Sequence, residues 1–418
     1  MTEDPNKPSS SVINEPKTDS FTEFKKDPRL DKSVNKTPNL KYNKEHSNFT
    51  KKILKITEYE DFLNELRQYK RKQHNLINQK YEPDPINNRE TILKELSTVA
   101  EDIIIASQSW IQREFEAKFG LPTFLSSYKQ DQAAYLALIC MGKLGSQSLN
   151  YESDLDLIFV FSNRGNTIGE KQITNSEFFA KVAQRFINAL QLLTSAGRCY
   201  EIDTELRPSG HMGALVTSYD HFIDHQMNQA QHWERQALIR SRCLTENLEY
   251  QNKFESQLQK LVYARPLPND FTKYMAQIRD QVIKEKVHES ENKIDLKLGL
   301  GGIMDIEFII HHIQLKDGAI FPDLQQKSIF KTLRALKNHT IIKQEQLNYL
   351  INTYALYRTI ESKIHLFKKR SEHLIDFKND TGDNISNLLN YQNSDILKRE
   401  LLNHKTKIRE LFCEIYKV

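Results

Sequence analysis

Apolar side chains recur every three or four residues over long stretches of this chain, and that spacing is the period of an α-helix. The clearest stretch runs from 91 to 119, and Gly120 follows it as a stop signal. The same spacing appears over 347–366 and 396–418. The pattern therefore predicts long helices on both sides of a central region that is built differently.

The central region, about 132–217, has short apolar runs of the kind that form buried strands. It also contains one amphipathic stretch with helical spacing, which Gly197 is expected to end. The predicted elements are strands over 136–141, 155–161, 199–206 and 214–216, with a helix over 176–194. We expect a small mixed α/β core here.

Composition separates the ends of the chain from this core. The first 50 residues hold five of the 12 prolines, mixed charges and few apolar residues, so burial there cannot offset the entropy lost on ordering. The sequence predicts an α+β protein that is mostly helical. Its expected segments are a disordered tail over 1–50, a helical N-terminal segment over 51–131, the mixed core over 132–245 and a helical bundle over 246–418.

Charge and cysteine content exclude several classes of protein. The 59 Lys and Arg residues nearly balance the 55 Asp and Glu residues, so no basic surface for nucleic acid is indicated. No apolar run reaches the roughly 18 residues of a membrane span, and the first residues lack the pattern of a signal peptide. The four cysteines are far apart and lack metal-binding spacing. We expect a cytoplasmic protein with no membrane or nucleic-acid partner.

Two carboxylates stand at the head of the second predicted strand. Asp154 and Asp156 are two residues apart, so the strand period places both on one face, with Cα atoms about 6.6 Å apart. Like charges at that spacing repel unless a cation screens them, and Mg²⁺ prefers oxygen ligands. A strand end that projects into solvent is the alternative, and it is favoured for an isolated pair of this kind.

The third predicted strand adds carboxylates with the same alternation. Glu201, Asp203 and Glu205 would share one face, opposite a mostly apolar face. One interpretation is an edge strand with a solvated acidic face, helped by Arg198 and Arg207. The other is a third metal ligand beside the first pair, because three carboxylates on adjacent strands can hold two Mg²⁺ ions for attack on a phosphorus.

A glycine-containing turn at 142–146 lies between the first two predicted strands. Its backbone N–H groups can cradle phosphates, and Lys143 and Ser146 can add contacts, although the P-loop spacing is absent. A simple tight turn is the alternative for this segment alone. The order of strand, turn, Asp-x-Asp pair, helix and acidic strand is the pattern of the polymerase-β-like nucleotidyltransferase core.

Sequence blocks within about 90–370 make the comparison more specific. They are MGKLG at 141–145 with LNYESDLDLIF at 149–159, YEID at 200–203 with LRPSG at 206–210, WER at 233–235, and GGIMDIEF at 301–308. In content and order, these blocks resemble the glutamine synthetase adenylyltransferase (glutamate–ammonia-ligase adenylyltransferase) family. The resemblance implies the nucleotidyltransferase core followed by a helical bundle.

Members of that family are usually tandem enzymes. One half removes AMP from a tyrosine of glutamine synthetase by phosphorolysis, and the other half attaches AMP from ATP. This chain has one copy of the core. The segments 206–210, 215–218 and 236–240 resemble the attaching half, which we favour, whereas 149–151 and 295–299 look more like the removing half.

The resemblance also implies residue roles and partners. Asp154 and Asp156 would bind Mg²⁺, and Asp203 would complete the metal site and orient or deprotonate the tyrosine hydroxyl. ATP would be the nucleotide substrate, glutamine synthetase the protein substrate, and a PII signalling protein a regulator. Ser148 stands where the family commonly has Glu, which bears on how the turn is held. The candidate nucleotide contacts are Lys143, Gly145, Ser146, Arg207 and Ser209.

Other interpretations stay open at the level of sequence. The core can run in reverse and remove AMP, it can act on RNA or a small molecule, or it can bind glutamine synthetase without catalysis. Arg207 can form an ion pair with Glu205 or Glu201 instead of binding phosphate.

The glycine cluster at 299–302 precedes a predicted helix. We favour a capped helix with a close-packed turn over a direct part in the nucleotide or substrate pocket. His311 and His312 follow on that helix, and we expect them at the surface and in the core rather than at a metal.

Overall fold

The computed structural model describes residues 44–84, 87–368 and 374–418. Its helices are α1 (Lys44–Ile53), α2 (Tyr59–Tyr81), α3 (Arg89–Phe119), α4 (Gly142–Gly145), α5 (Asn175–Gln191), α6 (Tyr219–Asp224), α7 (His232–Leu238), α8 (Leu248–Tyr263), α9 (Phe271–Lys286), α10 (Ile303–Asp317), α11 (Ile329–Leu336), α12 (Gln344–Lys368), α13 (Asp380–Leu388) and α14 (Ser394–Tyr416). Its strands are β1 (Pro122–Leu125), β2 (Asp131–Ala133), β3 (Leu136–Cys140), β4 (Leu155–Phe161), β5 (Asn166–Thr167), β6 (Ile202–Asp203), β7 (Val216–Ser218), β8 (Arg242–Leu244), β9 (Lys293–Asp295) and β10 (Leu374–Asp376). The α+β class expected from the sequence is confirmed.

The main sheet has β4 at its centre. One edge of β4 pairs with β3 in antiparallel register, and β3 pairs in turn with β8. The other edge pairs in parallel, first with β6 and further along with β7. Residues 204–215 leave the sheet between these two short strands. This excursion places the end of β6 beside the start of β4, where the carboxylates are.

Side chains of β4 alternate between two apolar cores, as the strand period requires. Phe159 and Phe161 pack on the aromatic rings of α5, in the core that also includes α2 and α3. Ile158 and Val160 point to the opposite face and share a core with helices α8 to α14. The C-terminal helices therefore cover the second face of the sheet.

The predicted long elements are confirmed. The helix expected over 91–119 is α3, the one over 347–366 lies within α12, and the one over 396–418 is α14, which ends at Tyr416. The first two predicted strands are β3 and β4, and β4 has the predicted bounds. In α5, the Thr174 hydroxyl accepts a hydrogen bond from Glu177 N at 3.1 Å and so fixes the first turn.

Two expectations for the N-terminal part were wrong. Residues 44–50 belong to α1 rather than to a disordered tail, because Phe49 is buried and stacks on Tyr69 of α2 with ring centroids 3.7 Å apart. Residues 1–43 lie outside the described ranges. The segment 51–131 is not helical throughout, since β1 begins at Pro122.

The third predicted strand is much shorter than expected. Instead of covering 199–206, it is reduced to Ile202–Asp203, because the backbone N–H groups of Cys199 and Tyr200 donate to Leu190 O at the end of α5. The fourth strand lies at Val216–Ser218 rather than 214–216. Helix α5 ends at Gln191, before the expected stop at Gly197. The C-terminal bundle also contains a two-stranded sheet, β9 with β10, which the helical pattern did not indicate.

No helix in the described ranges is both long and apolar enough to cross a membrane. All four cysteines are free, and three of them are buried.

Candidate active site

Three carboxylates meet where β4 and β6 begin. The parallel register pairs Asp156 directly with Asp203, and Asp154 precedes Asp156 on the same face. One carboxylate oxygen from each of the three residues lies within 4.8 Å of the other two. Asp154 is exposed, whereas the other two are half-buried. We call this group the carboxylate edge (Asp154, Asp156, Asp203), and the structure brings together all three residues proposed from the sequence.

The electrostatics of the carboxylate edge favour a bound cation. Burial, together with the charges of Asp154 and Asp203, raises the pKa of Asp156 from its usual value to about 6. Hard divalent cations such as Mg²⁺ prefer carboxylate oxygens and relieve this repulsion. The donor set therefore fits Mg²⁺, which all three residues would hold.

A short helix, α4, follows β3 and touches the carboxylate edge. Gly142 has a φ of 54°, and a Cβ atom at this position would overlap Asp156 Oδ2. A Cβ at Gly145 would overlap the backbone oxygens of Cys140 and Arg240. Both glycines are thus required by close approach. Gly145 serves packing on β3 and Arg240, while Gly142, which was not among the proposed site residues, lies against the Asp156 carboxylate.

Ser146 and Ser148 are held by an arginine from outside the turn. The Ser146 hydroxyl donates to Gly142 O at 2.9 Å and lies 2.8 Å from the Ser148 hydroxyl. Arg240 Nη2 donates to Ser146 Oγ at 3.0 Å and lies 3.4 Å from Ser148 Oγ. Arg240 Nη1 in turn forms an ion pair with Glu307 at 3.0 Å. In this chain Ser148 stands at the position expected to be Glu, and the turn is held by Arg240 and the two serines instead.

Lys143 points from α4 towards the C-terminal helices. Its Nζ lies 3.1 Å from Glu361 Oε1 of α12, and Arg358 of the same helix lies 2.8 Å from Glu361 Oε2. These ion pairs hold the pKa of Glu361 well below its usual range. The sequence indicated neither Glu361 nor Arg358, because no motif or spacing marked them in the long pattern of α12.

The acidic face predicted for the third strand is only partly present. Asp203 faces the other carboxylates, and its Oδ1 accepts a hydrogen bond from Glu205 N at 2.7 Å. Glu201 and Glu205 are exposed and form ion pairs with Arg198 and His211 respectively. A third carboxylate of the edge and a solvated acidic surface therefore occur together.

Arg207 organises the excursion between β6 and β7. Its Nη1 donates to the carbonyl and hydroxyl oxygens of Thr204 at 2.8 and 2.9 Å, and its Nε donates to Gly213 O at 3.3 Å. The alternative ion pair with Glu205 or Glu201 is not formed. Ser209 has a left-handed φ of 62° and borders a cavity of about 450 Å³ on the side of β7.

The close-packed turn before α10 is confirmed. Gly301 has a φ of 69°, and a Cβ there would overlap the Lys405 backbone. Asp305 accepts hydrogen bonds from Gly301 N at 2.7 Å and from Arg279 Nε at 2.5 Å, and both charged side chains are fully buried. Asp305 therefore has a structural role.

His311 and His312 are both buried, so the expectation that one of them is at the surface was wrong. Glu307, between the turn and these histidines, reaches the site through its ion pair with Arg240. The sequence block at 301–308 thus contributes one side chain, that of Glu307, to the wall of the site.

The fold and the carboxylate edge together define a nucleotidyltransferase core of the polymerase-β type, with a helical C-terminal part. Residues 22–257 match the family model described as glutamate-ammonia ligase adenylyltransferase, and the chain belongs to this family. Residues 272–416 match a second model, described as GlnD PII-uridylyltransferase. The resemblance found in the sequence motifs is thereby confirmed.

Curated relatives agree with the family assignment. The chain is 34% identical over 276 residues to a bifunctional glutamine synthetase adenylyltransferase/adenylyl-removing enzyme of Mannheimia haemolytica. It is 31% identical over 274 residues to the enzyme of the same description from Shewanella oneidensis. Each match covers 65% of this chain but only 28% of the relative. The chain therefore matches little more than a quarter of these enzymes.

Proposed function

We propose that this chain catalyses Mg²⁺-dependent transfer of AMP from ATP to a tyrosine of glutamine synthetase. The observation that carries the proposal is the carboxylate edge, with three carboxylate oxygens within 4.8 Å of one another on paired strands. Membership of the adenylyltransferase family supports the same chemistry. The tyrosine acceptor and the protein substrate come from the resemblance to this family.

In the proposed reaction, the tyrosine oxygen forms a bond to the α-phosphorus of ATP, and the bond from that phosphorus to the bridging oxygen breaks. Pyrophosphate leaves. A tyrosine hydroxyl has a pKa near 10, so it needs a base to react at neutral pH. Asp154 and Asp156 would hold the metal, and Asp203 would complete the metal site and also orient this hydroxyl and accept its proton. Bound Mg²⁺ supplies charge neutralisation at the phosphate oxygens.

Two loops are proposed to position the nucleotide. The first loop is the turn at 142–146. Its residues Lys143 and Ser146 contact phosphate, and the close packing at Gly145 fixes the position of this loop. The second loop is the excursion at 204–215 between β6 and β7. Arg207 stabilises this loop, because its N–H groups donate hydrogen bonds to backbone oxygens there. Ser209 presents that loop towards the nucleotide.

The reverse activity, phosphorolytic removal of AMP from modified glutamine synthetase, is the second candidate. The segments 149–151 and 295–299 favour it, whereas 206–210 and 236–240 favour transfer. A PII signalling protein is a proposed regulator in either direction, and the match of residues 272–416 to a model described as GlnD PII-uridylyltransferase supports testing it.

A two-way assay distinguishes the candidates. Purified protein with Mg²⁺ is incubated with unmodified glutamine synthetase and α-labelled ATP, and separately with AMP-modified synthetase and phosphate. Label on the synthetase supports transfer, and ADP released from the modified synthetase supports removal. Absence of both signals, with and without a PII protein, would overturn the assignment of this substrate.

A further inference from the structure

Positive side chains gather on the bundle side of the carboxylate edge. Lys143 and Arg358 both bind Glu361, at 3.1 and 2.8 Å. The side chains of Arg358 and Glu361 are each 3% exposed, and that of Lys143 is 19% exposed. A carboxylate this buried is stable only with paired cations, and here it has two from different elements, α4 and α12.

Two further cations complete the group. Arg240 binds Glu307 and the serine hydroxyls of the α4 turn. Lys297 is half-buried, and no ion pair joins it to another residue of the described ranges. Its charge acts on both Glu361 and Asp156, where it lowers the pKa of each carboxyl group. We call these four residues the cation cluster: Lys143, Arg240, Lys297 and Arg358.

The charges of this wall do not balance. Within this wall four cations face the two carboxylates of Glu307 and Glu361. The neighbouring carboxylate edge supplies further negative charge, since Arg240 and Lys297 also act on Asp156. A divalent cation at that edge would neutralise two of its three charges, and the wall would then carry a net positive charge that an anion can offset. The other three cations of the cluster each have a carboxylate partner, whereas within the described residues no ion pair joins Lys297, which is therefore the cation most available to a ligand. A phosphate group, with its negative charges and several acceptor oxygens, matches this need.

The cation cluster is also in the right position relative to the metal site. Gly142 lies against Asp156 Oδ2, and Lys143 is the next residue. Lys297 is held by a rigid turn, since Asp295 Oδ1 accepts from Lys297 N at 3.0 Å and Arg279 Nη2 donates to Leu298 O at 2.8 Å. A nucleotide whose α-phosphate is at the carboxylate edge thus has cations on the adjoining wall.

We propose that the cation cluster binds the nucleotide's phosphate groups beyond the α-phosphate, and that Glu361 is the positioning residue that holds the cluster together. This inference rests on the proposed function, because it takes a nucleotide as the ligand. In the transfer direction these groups belong to ATP. In the removing direction inorganic phosphate takes their place, and the recognised chemistry is the same.

The test compares ATP with AMP, which lacks the β- and γ-phosphates. Titration calorimetry with Mg²⁺ measures both ligands, and inorganic phosphate separately, on the full chain. Loss of one charge-assisted contact corresponds to about 10- to 100-fold in affinity. We therefore expect Glu361→Gln and Lys297→Gln to weaken ATP binding by about 10- to 100-fold and to leave AMP binding unchanged. Glu361→Asp keeps the negative charge, so its ATP affinity should lie between those of Glu361→Gln and the wild type. Arg334→Gln, in an exposed ion pair with Glu90, is the matched control and leaves both affinities unchanged.

The outcomes separate the two proposals. If the wild-type chain binds ATP and the variants bind ATP and AMP as it does, the inference is overturned and the proposed function stands. If the wild type binds neither ATP, AMP nor phosphate, the proposed function fails first. If Glu361→Gln lowers the melting temperature, Lys297→Gln decides, since it breaks no ion pair found in the described ranges. An unchanged ATP-to-AMP ratio in folded Lys297→Gln contradicts the inference.

Discussion

The carboxylate edge and the cation cluster lie side by side but are assembled in different ways. The carboxylates come from two strands of one sheet, within 50 residues of each other, and a two-residue period aligns them. The cations come from four elements: α4, the end of α7, the turn before α10, and α12. The first and the last of these are separated by more than 200 residues. One group is a strand motif, and the other exists only because the helical part packs on the sheet.

This difference explains why the two groups respond to substitution differently. The carboxylate edge is fixed by backbone register, so a side-chain change there alters chemistry and leaves the fold in place. The cation cluster is fixed by buried ion pairs, so changes to its supports also affect stability. Four variants, the first of them a double substitution, test this comparison, from the largest expected effect to the smallest.

The double variant Asp154→Asn with Asp156→Asn should reduce AMP transfer by about a thousandfold or more, because the amides cannot neutralise a divalent cation. Loss of repulsion around Asp156 should leave the melting temperature unchanged or raised. Labelled transfer and thermal melting are measured on the same sample. Full activity in the folded double variant would contradict the proposed metal site.

Asp305→Ala should lower the free energy of unfolding by about 3–5 kcal/mol, because it leaves the fully buried Arg279 without its charged partner. Urea unfolding measures the change. Asp280→Ala is the matched control, since its carboxylate is half-exposed and also binds an arginine, Arg409. Its expected loss is below about 1 kcal/mol. If both variants lost the same free energy of unfolding, the buried Asp305–Arg279 ion pair would not be what stabilises the turn that carries Lys297.

Gly142→Ala should weaken Mn²⁺ or Mg²⁺ binding by about 10- to 100-fold, a loss of up to about 3 kcal/mol, because the added Cβ displaces the Asp156 carboxylate. Gly197→Ala separates this effect from backbone strain. Gly197 has a φ of 91°, but a Cβ there meets no atom within 4 Å. We expect Gly197→Ala to cost stability and leave metal affinity unchanged. Equal metal affinity in both variants would remove Gly142 from the site.

Part of the pH dependence of stability should come from His312 on α10. Burial lowers the pKa of His312 to about 4, against about 6.5 in the unfolded chain. The unfolded state binds the proton first, so stability is lost as pH falls from about 6.5 towards 4. At pH 5 this amounts to about 2 kcal/mol for the one histidine. His312→Phe should remove that share of the difference between urea midpoints at pH 7 and pH 5, and an unchanged difference would contradict a neutral buried His312.

Sequence reasoning succeeded where chemistry follows local periodicity. Strand β4 was predicted from its apolar run, the face shared by Asp154 and Asp156 from the two-residue strand period, and the long helices from their apolar spacing. It failed at β6, because the ends of strands depend on competition for hydrogen bonds. The N–H groups of Cys199 and Tyr200 bind the end of α5 instead of the sheet. The α1 residues 44–50 were predicted to be disordered from the composition of the first 50 residues, which did not reveal that Phe49 stacks on Tyr69 of α2.

The sequence by itself determined the α+β class, the family and the three residues of the carboxylate edge, because these depend on short spacing and on motifs. Only the tertiary structure decided that Glu361 and Arg358 of α12 pair with Lys143, next to the glycine that touches Asp156, and that the charge of Lys297 acts on Asp156. Ion pairs between distant elements leave no period in a sequence, since any exposed helix carries similar charges. Packing of the C-terminal helices on the second face of the sheet selects which of those charges become buried beside Asp156.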